Sequence, residues 1–142
     1  MSAPDFLDTN ILVYAYDTTD LRKRRIAQDL LLRAFSGKIT FSLQVLAEFA
    51  VTLLHKVAPP ARPEDVVAIL DALGPVQVIL PDAEIVRRAV EARMKYGVHF
   101  YDGMILASAE RGGCGRIWSE DLNEGQQYFG IPVQNPFATS GK

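Results

Sequence analysis

The sequence predicts an α/β fold, a single three-layer α/β/α domain built around a mostly parallel central sheet. Three observations carry that expectation. Short apolar runs alternate with longer stretches of helical periodicity, and strands separated by helices pair in parallel through right-handed crossovers. The 142 residues suit one core, since domains cluster at about 100–150 residues. The 49% hydrophobic content argues against disorder, and no linker, internal repeat or domain boundary divides the chain. The domain is expected to span residues 1–137, with 138–142 a frayed tail.

The elements follow in order. Asp5-Phe6-Leu7 is a short strand, and Asn10 to Tyr16 a short helix. Leu21 to Phe35 carries helical spacing at Leu21, Ile26, Leu30, Leu31 and Ala34, and Ser36-Gly37 stops it. Ile39-Thr40-Phe41 is a second strand. Ser42 caps a helix with apolar residues from Leu43 to Val57, broken by Pro59-Pro60. Pro63 opens the next helix in the first-turn position that proline favours, and Gly74-Pro75 closes it. Val76 to Leu80 is a β-branched strand, Asp82 to Tyr96 an amphipathic helix, and Tyr101 to Glu110 a further helix ended by Gly112-Gly113. Arg116-Ile117-Trp118 forms a fourth strand and Ile131 to Val133 a fifth.

Composition excludes several classes. One cysteine, Cys114, makes neither an internal disulfide nor a multi-thiolate zinc site, and reads as a small hydrophobe. No apolar run approaches the ~18 residues of a membrane span. Met1 to Asp5 lacks the basic and apolar regions of a signal peptide, so a cytoplasmic protein without a membrane partner is expected. The formal charge of −2 shows no basic excess and, on its own, weighs against a nucleic-acid partner.

Four carboxylates stand out by position. Asp8 directly follows the first strand, and ligands of open α/β sheets bind beyond the carboxyl ends of strands. Asp121 lies just after the strand ending at Trp118, on the same expected edge. Glu48 sits well inside a helix that is apolar nearly all round, which predicts burial. An ionised carboxylate there is costly unless paired or bound to a metal. Asp102 poses the same problem, flanked by Phe100-Tyr101 and Met104 to Ala107 in a helix expected inside. Asp8, Asp102 and Asp121 also suit helix or turn caps. For Glu48 the structural alternative is an ion pair with an unidentified Arg or Lys, a weak stabiliser when buried. Four acids near one sheet edge need a compensating cation, and oxygen-only ligand sets suit Mg²⁺ or Mn²⁺.

These residues also resemble a known family. Phe6-Leu7-Asp8-Thr9-Asn10, Leu46-Ala47-Glu48-Phe49, Tyr101-Asp102-Gly103-Met104-Ile105-Leu106-Ala107 and Ser119-Glu120-Asp121-Leu122-Asn123 with Gly125-Gln126 resemble, in order, the PIN-domain nucleases. The likeness is greatest to VapC-type toxins of bacterial toxin–antitoxin pairs, and it spans about Phe6 to Pro136. Gly103 departs from the family, which more often has alanine there, and Glu120 competes with Asp121 for its place. The resemblance implies an Mg²⁺- or Mn²⁺-dependent endoribonuclease with one or two ions and Asp8, Glu48, Asp102 and Asp121 as its acidic quartet. Asp8 and Asp102 would be the firmest ligands. Thr9, Asn10, Ser119 and Asn123 would orient the carboxylates by hydrogen bonds. It further implies a cognate antitoxin as partner and a homodimer.

Other features of the sequence have simpler roles. His55 and His99 offer an acid–base pair for a metal-free ribonuclease, although dipole and structural roles account for them. Gly112-Gly113-Cys114-Gly115 lacks the following Lys-Ser/Thr of a phosphate loop and reads as a helix end. Asp8-Thr9-Asn10 lacks the second acid of a phospho-aspartate site. Arg22-Lys23-Arg24-Arg25 covers a full helical turn and reads as solvated surface rather than an RNA contact. Tyr14, Tyr16, Leu31 and Phe35 lie on early helices that offer a partner surface or fill the core. The fold also accommodates a catalytically silent RNA- or protein-binding module. If the four acids are metal ligands, thirteen acidic residues face fifteen basic ones elsewhere, and the net charge no longer opposes an RNA substrate.

Overall fold

The computed structural model describes residues 2–138. Its elements are β1 (Asp5–Leu7), α1 (Thr9–Tyr14), α2 (Leu21–Ala34), β2 (Ile39–Ser42), α3 (Leu43–His55), α4 (Pro63–Ala72), β3 (Val78–Ile79), α5 (Ala83–Tyr96), α6 (Phe100–Arg111), β4 (Arg116–Trp118), β5 (Gln127–Tyr128) and β6 (Ile131–Gln134). The strands form one sheet in the order β3-β2-β1-β4-β6-β5. All neighbours are parallel except β5 and β6.

Local chemistry sets these boundaries. Asp8, Asp20, Ser42 and Asp82 each cap a helix by accepting a backbone N–H, satisfying donors that have no partner within the helix. Pro63 occupies the first turn of α4. Gly97, at φ +72°, ends α5 in the left-handed region where a β-carbon is penalised.

β1 sits between β2 and β4, with Phe6 paired to Thr40 on one side and Ile117 on the other. Phe6, Leu7, Phe41 and Ile117 are fully buried, as in a sheet covered by helices on both faces. Ile11, Phe49, Ile85 and Leu106 bring α1, α3, α5 and α6 onto that core. Because β1 and β4 run parallel in register, Leu7 opposite Trp118, the turns after them leave from one edge. The Asp8 N–H donates to the Trp118 carbonyl at 3.0 Å and pins those two exits together.

Four expectations change. The first helix begins at Thr9 and ends at Tyr14, because Asp8 caps it. The third strand pairs over Val78–Ile79 alone. β5 was not foreseen, and it forms a hairpin with β6 through Phe129 (φ 52°) and Gly130 (φ 79°). Helix α3 is not buried all round. Val45, Phe49 and Leu53 face the core, while Leu43, Ala47 and Val51, spaced by one helical turn, are exposed. The expected tail falls outside the described residues beyond Ala138.

Candidate functional site

A cleft of about 560 Å³ opens at the carboxyl edge of the sheet. Asp8, Asp17, Glu48, Asp102, Glu120 and Asp121 line it, and no lysine or arginine does among the described residues. The topology explains the convergence. Asp8 and Asp121 follow adjacent parallel strands, Glu48 rides the second turn of the helix that leaves β2, and Asp102 lies in the first turn of α6.

Asp8 lies deepest, at 7% exposure. Its Oδ1 accepts the Thr9 N–H at 2.7 Å and its Oδ2 accepts the Ser119 hydroxyl at 2.8 Å. Burial pushes its pKa up to about 6, with the negative charges of Asp102 and Asp121 adding and the two hydrogen bonds opposing. Ser119 is fully buried, and its Oγ also accepts the N–H groups of Asp121 and Leu122 at 3.1 and 3.2 Å. One hydroxyl thus ties the fourth-strand turn to the central carboxylate.

Glu48 is half-buried and has no basic partner among the described residues. Its Oε1 accepts the Thr9 hydroxyl at 2.8 Å and its Oε2 the Gln44 amide at 3.3 Å. The same Gln44 amide donates to the Tyr101 carbonyl at 3.0 Å, joining α3 to the start of α6. Gln44 and Glu48 are one helical turn apart, on the side of α3 between its core and exposed stripes.

Asp102 is exposed at the rim rather than inside, although α6 beyond it is buried from Ile105 to Ala109. Its carboxyl pKa is raised chiefly by desolvation and then by Asp121 and Glu48, against the neighbouring His99. Asp121 is exposed, and its Oδ2 accepts the Asn10 amide at 2.9 Å. The Asn10 side-chain oxygen accepts the Glu120 N–H at 3.2 Å, so one residue of α1 grips two of the turn.

Thr9, Asn10 and Ser119 therefore bond to Glu48, Asp121 and Asp8 respectively. Asn123 does not touch a carboxylate of the cleft. Its amide faces Gln126 at 3.4 Å and its carbonyl accepts the Gln126 N–H, so it shapes the turn before β5. Glu120 lines the cleft with its carboxylate occupied elsewhere: Tyr14 donates to Oε1 at 2.8 Å, and Lys23 pairs with Oε2. Lys23 and Gln44 were not singled out from the sequence. Lys23 lay within a basic run that gave no sign of which member turns inward, and Gln44 has no motif signal.

The basic run is not simply solvated. Arg22 donates to the Phe137 carbonyl at 2.9 Å, and Lys23 and Arg24 are half-buried. Neither histidine lines the cleft. His99 caps α6, accepting the Tyr101 N–H on Nδ1, and His55 is exposed in the last turn of α3. Gly112 ends α6, and Cys114 is a buried thiol whose pKa burial pushes up to about 12. Of the early apolar residues, Leu31 belongs to the core, Tyr14 and Tyr16 are half-buried, and Phe35 is exposed.

Mg²⁺ or Mn²⁺ fits this donor set. Every polar group bordering Asp8 is an oxygen or amide, the carboxylates raise one another's pKa, and no lysine or arginine among the described residues lines the cleft. Among the described residues no three acids, histidines or thiols converge into a ready-made cage. An open arrangement still suits Mg²⁺, which keeps several waters and uses one or two carboxylates together with substrate phosphate.

The PIN domain family model matches residues 6–124. Among solved structures, DNA-bound VapBC of Salmonella typhimurium is similar at a TM-score of 0.68 and 19% identity, covering 95% of this chain and 99% of that one. A toxin–antitoxin complex from Klebsiella pneumoniae gives 0.66 and 23%, covering 97% and 100%. The sarcin–ricin-loop-cleaving toxin VapC20 of Mycobacterium tuberculosis gives 0.62 and 20%, covering 82% and 91%. No curated protein matches by sequence.

Proposed function

The chain belongs to the PIN domain family, and from that premise we propose that it is an Mg²⁺- or Mn²⁺-dependent endoribonuclease, a toxin restrained by a cognate antitoxin. The observation that carries this reading is the cleft centred on Asp8, lined by six carboxylates with no basic residue among the described ones. Such a lining repels an RNA phosphate unless a divalent cation intervenes.

Asp8 and Asp102 would hold the ion, with Glu48 and Asp121 assisting or serving a second one. When bound, the ion supplies an acidified water and charge neutralisation at the reacting phosphate oxygens. The chain's own work is positioning. Ser119 and the Thr9 N–H fix both oxygens of Asp8. The Thr9 hydroxyl turns Glu48 into the cleft, and Asn10 does the same for Asp121. Three hydrogen-bonding residues on two short segments thus set the orientation of three carboxylates before any ligand arrives.

The antitoxin reading is supported by α2. Leu21, Leu32 and Phe35 are 66%, 68% and 46% exposed and fall along one face of that helix and its cap. An apolar stripe of that kind suits a partner's helix or extended arm. The similar structures include two described as VapBC or toxin–antitoxin complexes. We place the protein in the cytoplasm as a homodimer. No helix among the described residues is long and apolar enough to cross a membrane.

The test uses purified protein and a structured RNA. Cleavage is expected with Mg²⁺ or Mn²⁺ and is lost with chelator or in Asp8→Ala. Undiminished cleavage in chelator overturns the metal mechanism. Binding without cleavage at any divalent ion favours the silent binding module.

A further inference from the structure

Glu120 and Asp121 are adjacent acids that both line the cleft, and a one-residue change of turn would exchange them. The structure holds them apart by different contacts. Among the described residues the Asp121 carboxylate accepts a hydrogen bond from Asn10 alone, at 2.9 Å, and it stays exposed. Glu120 is enclosed: Tyr14 donates to one oxygen at 2.8 Å and Lys23 pairs with the other. The ammonium is itself placed. Lys23 Nζ lies 4.7 Å from the Tyr14 ring centre and 5.2 Å from that of Phe137. Those two rings meet edge to face at 5.0 Å, and Arg22 holds the Phe137 carbonyl at 2.9 Å. The lysine and glutamate side chains are 24% and 25% exposed, which shields the pair well beyond an ordinary surface ion pair.

We propose that Lys23, Tyr14 and Glu120 form a latch that draws the Glu120 carboxylate out of ligand duty and fixes the 119–122 turn, so that Asp121 is the acid presented to the ion. Lys23 is then a positioning residue, and the C-terminal Phe137 completes its socket. The geometry favours this over a ligand role for Glu120. Both of its oxygens are engaged, and turning it to a cation would strip Lys23 of its partner in a half-buried setting, where losing one member of a pair is costly. The inference rests on the nuclease reading for its consequence, but not for its structural content.

The experiment separates the two. Amide hydrogen exchange is measured on metal-free protein, and Mn²⁺ affinity by electron paramagnetic resonance. In Lys23→Met the Glu120, Asp121 and Leu122 amides should exchange about tenfold faster, while core amides such as Phe6 and Ile117 stay protected. Mn²⁺ affinity should fall about 10–100-fold, as for other groups that orient metal-binding carboxylates. Lys23→Arg should restore both. Tyr14→Phe should shift both in the same direction, and it keeps the test alive if Lys23→Met does not fold. Unchanged exchange and affinity in Lys23→Met and Tyr14→Phe overturn the latch. Loss of Mn²⁺ binding in Glu120→Gln as complete as in Asp8→Asn overturns it too, by making Glu120 a ligand. If wild type binds no Mn²⁺ yet Lys23→Met loosens the turn, the metal reading falls and the latch stands.

Discussion

A carboxylate whose ionisation the fold disfavours serves stability poorly, and Asp8 is such a residue. Its folded pKa of about 6 lies above the unfolded value near 3.8, with burial the main cause. Between those values the folded state binds more protons than the unfolded one, so metal-free stability falls as pH rises from about 4 through about 6. Two pKa units correspond to roughly 3 kcal/mol. In chelator at about pH 7.5, Asp8→Asn should therefore be more stable than wild type by one to a few kcal/mol, with the gap closing toward pH 4. Asparagine keeps the cap of α1 through its amide oxygen, while its amide nitrogen cannot accept the Ser119 hydroxyl, so the expected gain is net of that lost hydrogen bond. Paired denaturant titrations read the gap, and a less stable Asp8→Asn at neutral pH would sink the account. The same variant should lose at least about 100-fold in cleavage, the usual exchange of stability for function at a strained site. At this scale the four carboxylates were legible because a charge in apolar surroundings, or just past a strand, has few uses. Asn123 was not, because a polar residue one turn from the site looks the same whether it bonds to a carboxylate or to its own loop. Nor was the role of Lys23, since a run of four basic residues does not show which one points inward.

The crossing of α5 and α6 is the element on which Asp102 depends. Gly103, the residue after it, is buried, and a β-carbon there would lie 2.6 Å from the Ala89 carbonyl oxygen of α5. The sequence shows Gly103 only as a departure from the family's alanine with a helix-propensity cost of ~1 kcal/mol. The structure supplies the reason, which is close approach of two helix backbones. Gly103→Ala should thus destabilise by about 1–3 kcal/mol despite its better propensity, because backbone must move to admit the methyl. It should also lower cleavage, since α6 can yield only by shifting the turn that carries Asp102. Thermal melting and kinetics on the purified variant check both, and a gain in stability would refute the close-packing argument. On α2, Leu32→Glu combined with Phe35→Glu should abolish co-purification with the antitoxin and leave RNA cleavage intact, because neither side chain lines the cleft. Retained co-purification would place the antitoxin elsewhere. The helices were legible in the sequence because Ser42, Pro63, Ser36-Gly37 and Gly112-Gly113 mark their ends. The β5–β6 hairpin was not, since a two-residue strand has too few positions for a period and its Phe-Gly turn lacks the usual asparagine. The exposed stripe of α3 was missed for a related reason. An apolar residue on a helix does not reveal whether the fold covers it.

For the whole molecule, the net charge of −2 averages two opposed regions. Six of the seventeen acids line one cleft, which leaves eleven against fifteen basic residues over the remainder. The remainder of the chain thus carries a net positive charge, while the cleft itself repels phosphate. A divalent ion in the cleft reverses the local sign without changing the rest, and Ca²⁺ tests this by accepting oxygen ligands in looser geometry than Mg²⁺ requires. RNA affinity measured by fluorescence anisotropy should rise about tenfold when Ca²⁺ replaces K⁺ at equal ionic strength, since each exposed contact is screened alike while the cleft is not. In Asp8→Asn that increment should largely vanish, although the salt dependence from the basic surface should remain. An RNA affinity indifferent to the divalent ion, or an increment that survives in Asp8→Asn, would mean that the phosphate does not enter the acidic cleft. The architecture gives a reason to expect entry. Parallel pairing of β1 and β4 brings Asp8 and Asp121 to one edge, and α3 and α6 bring Glu48 and Asp102 to the same opening from other parts of the chain. Concentrating like charges this way costs stability that Lys23 at Glu120 and the Ser119 and Thr9 hydrogen bonds at Asp8 offset only in part, since the Asp8 pKa stays raised, and a divalent cation with its phosphate ligand would supply the remainder.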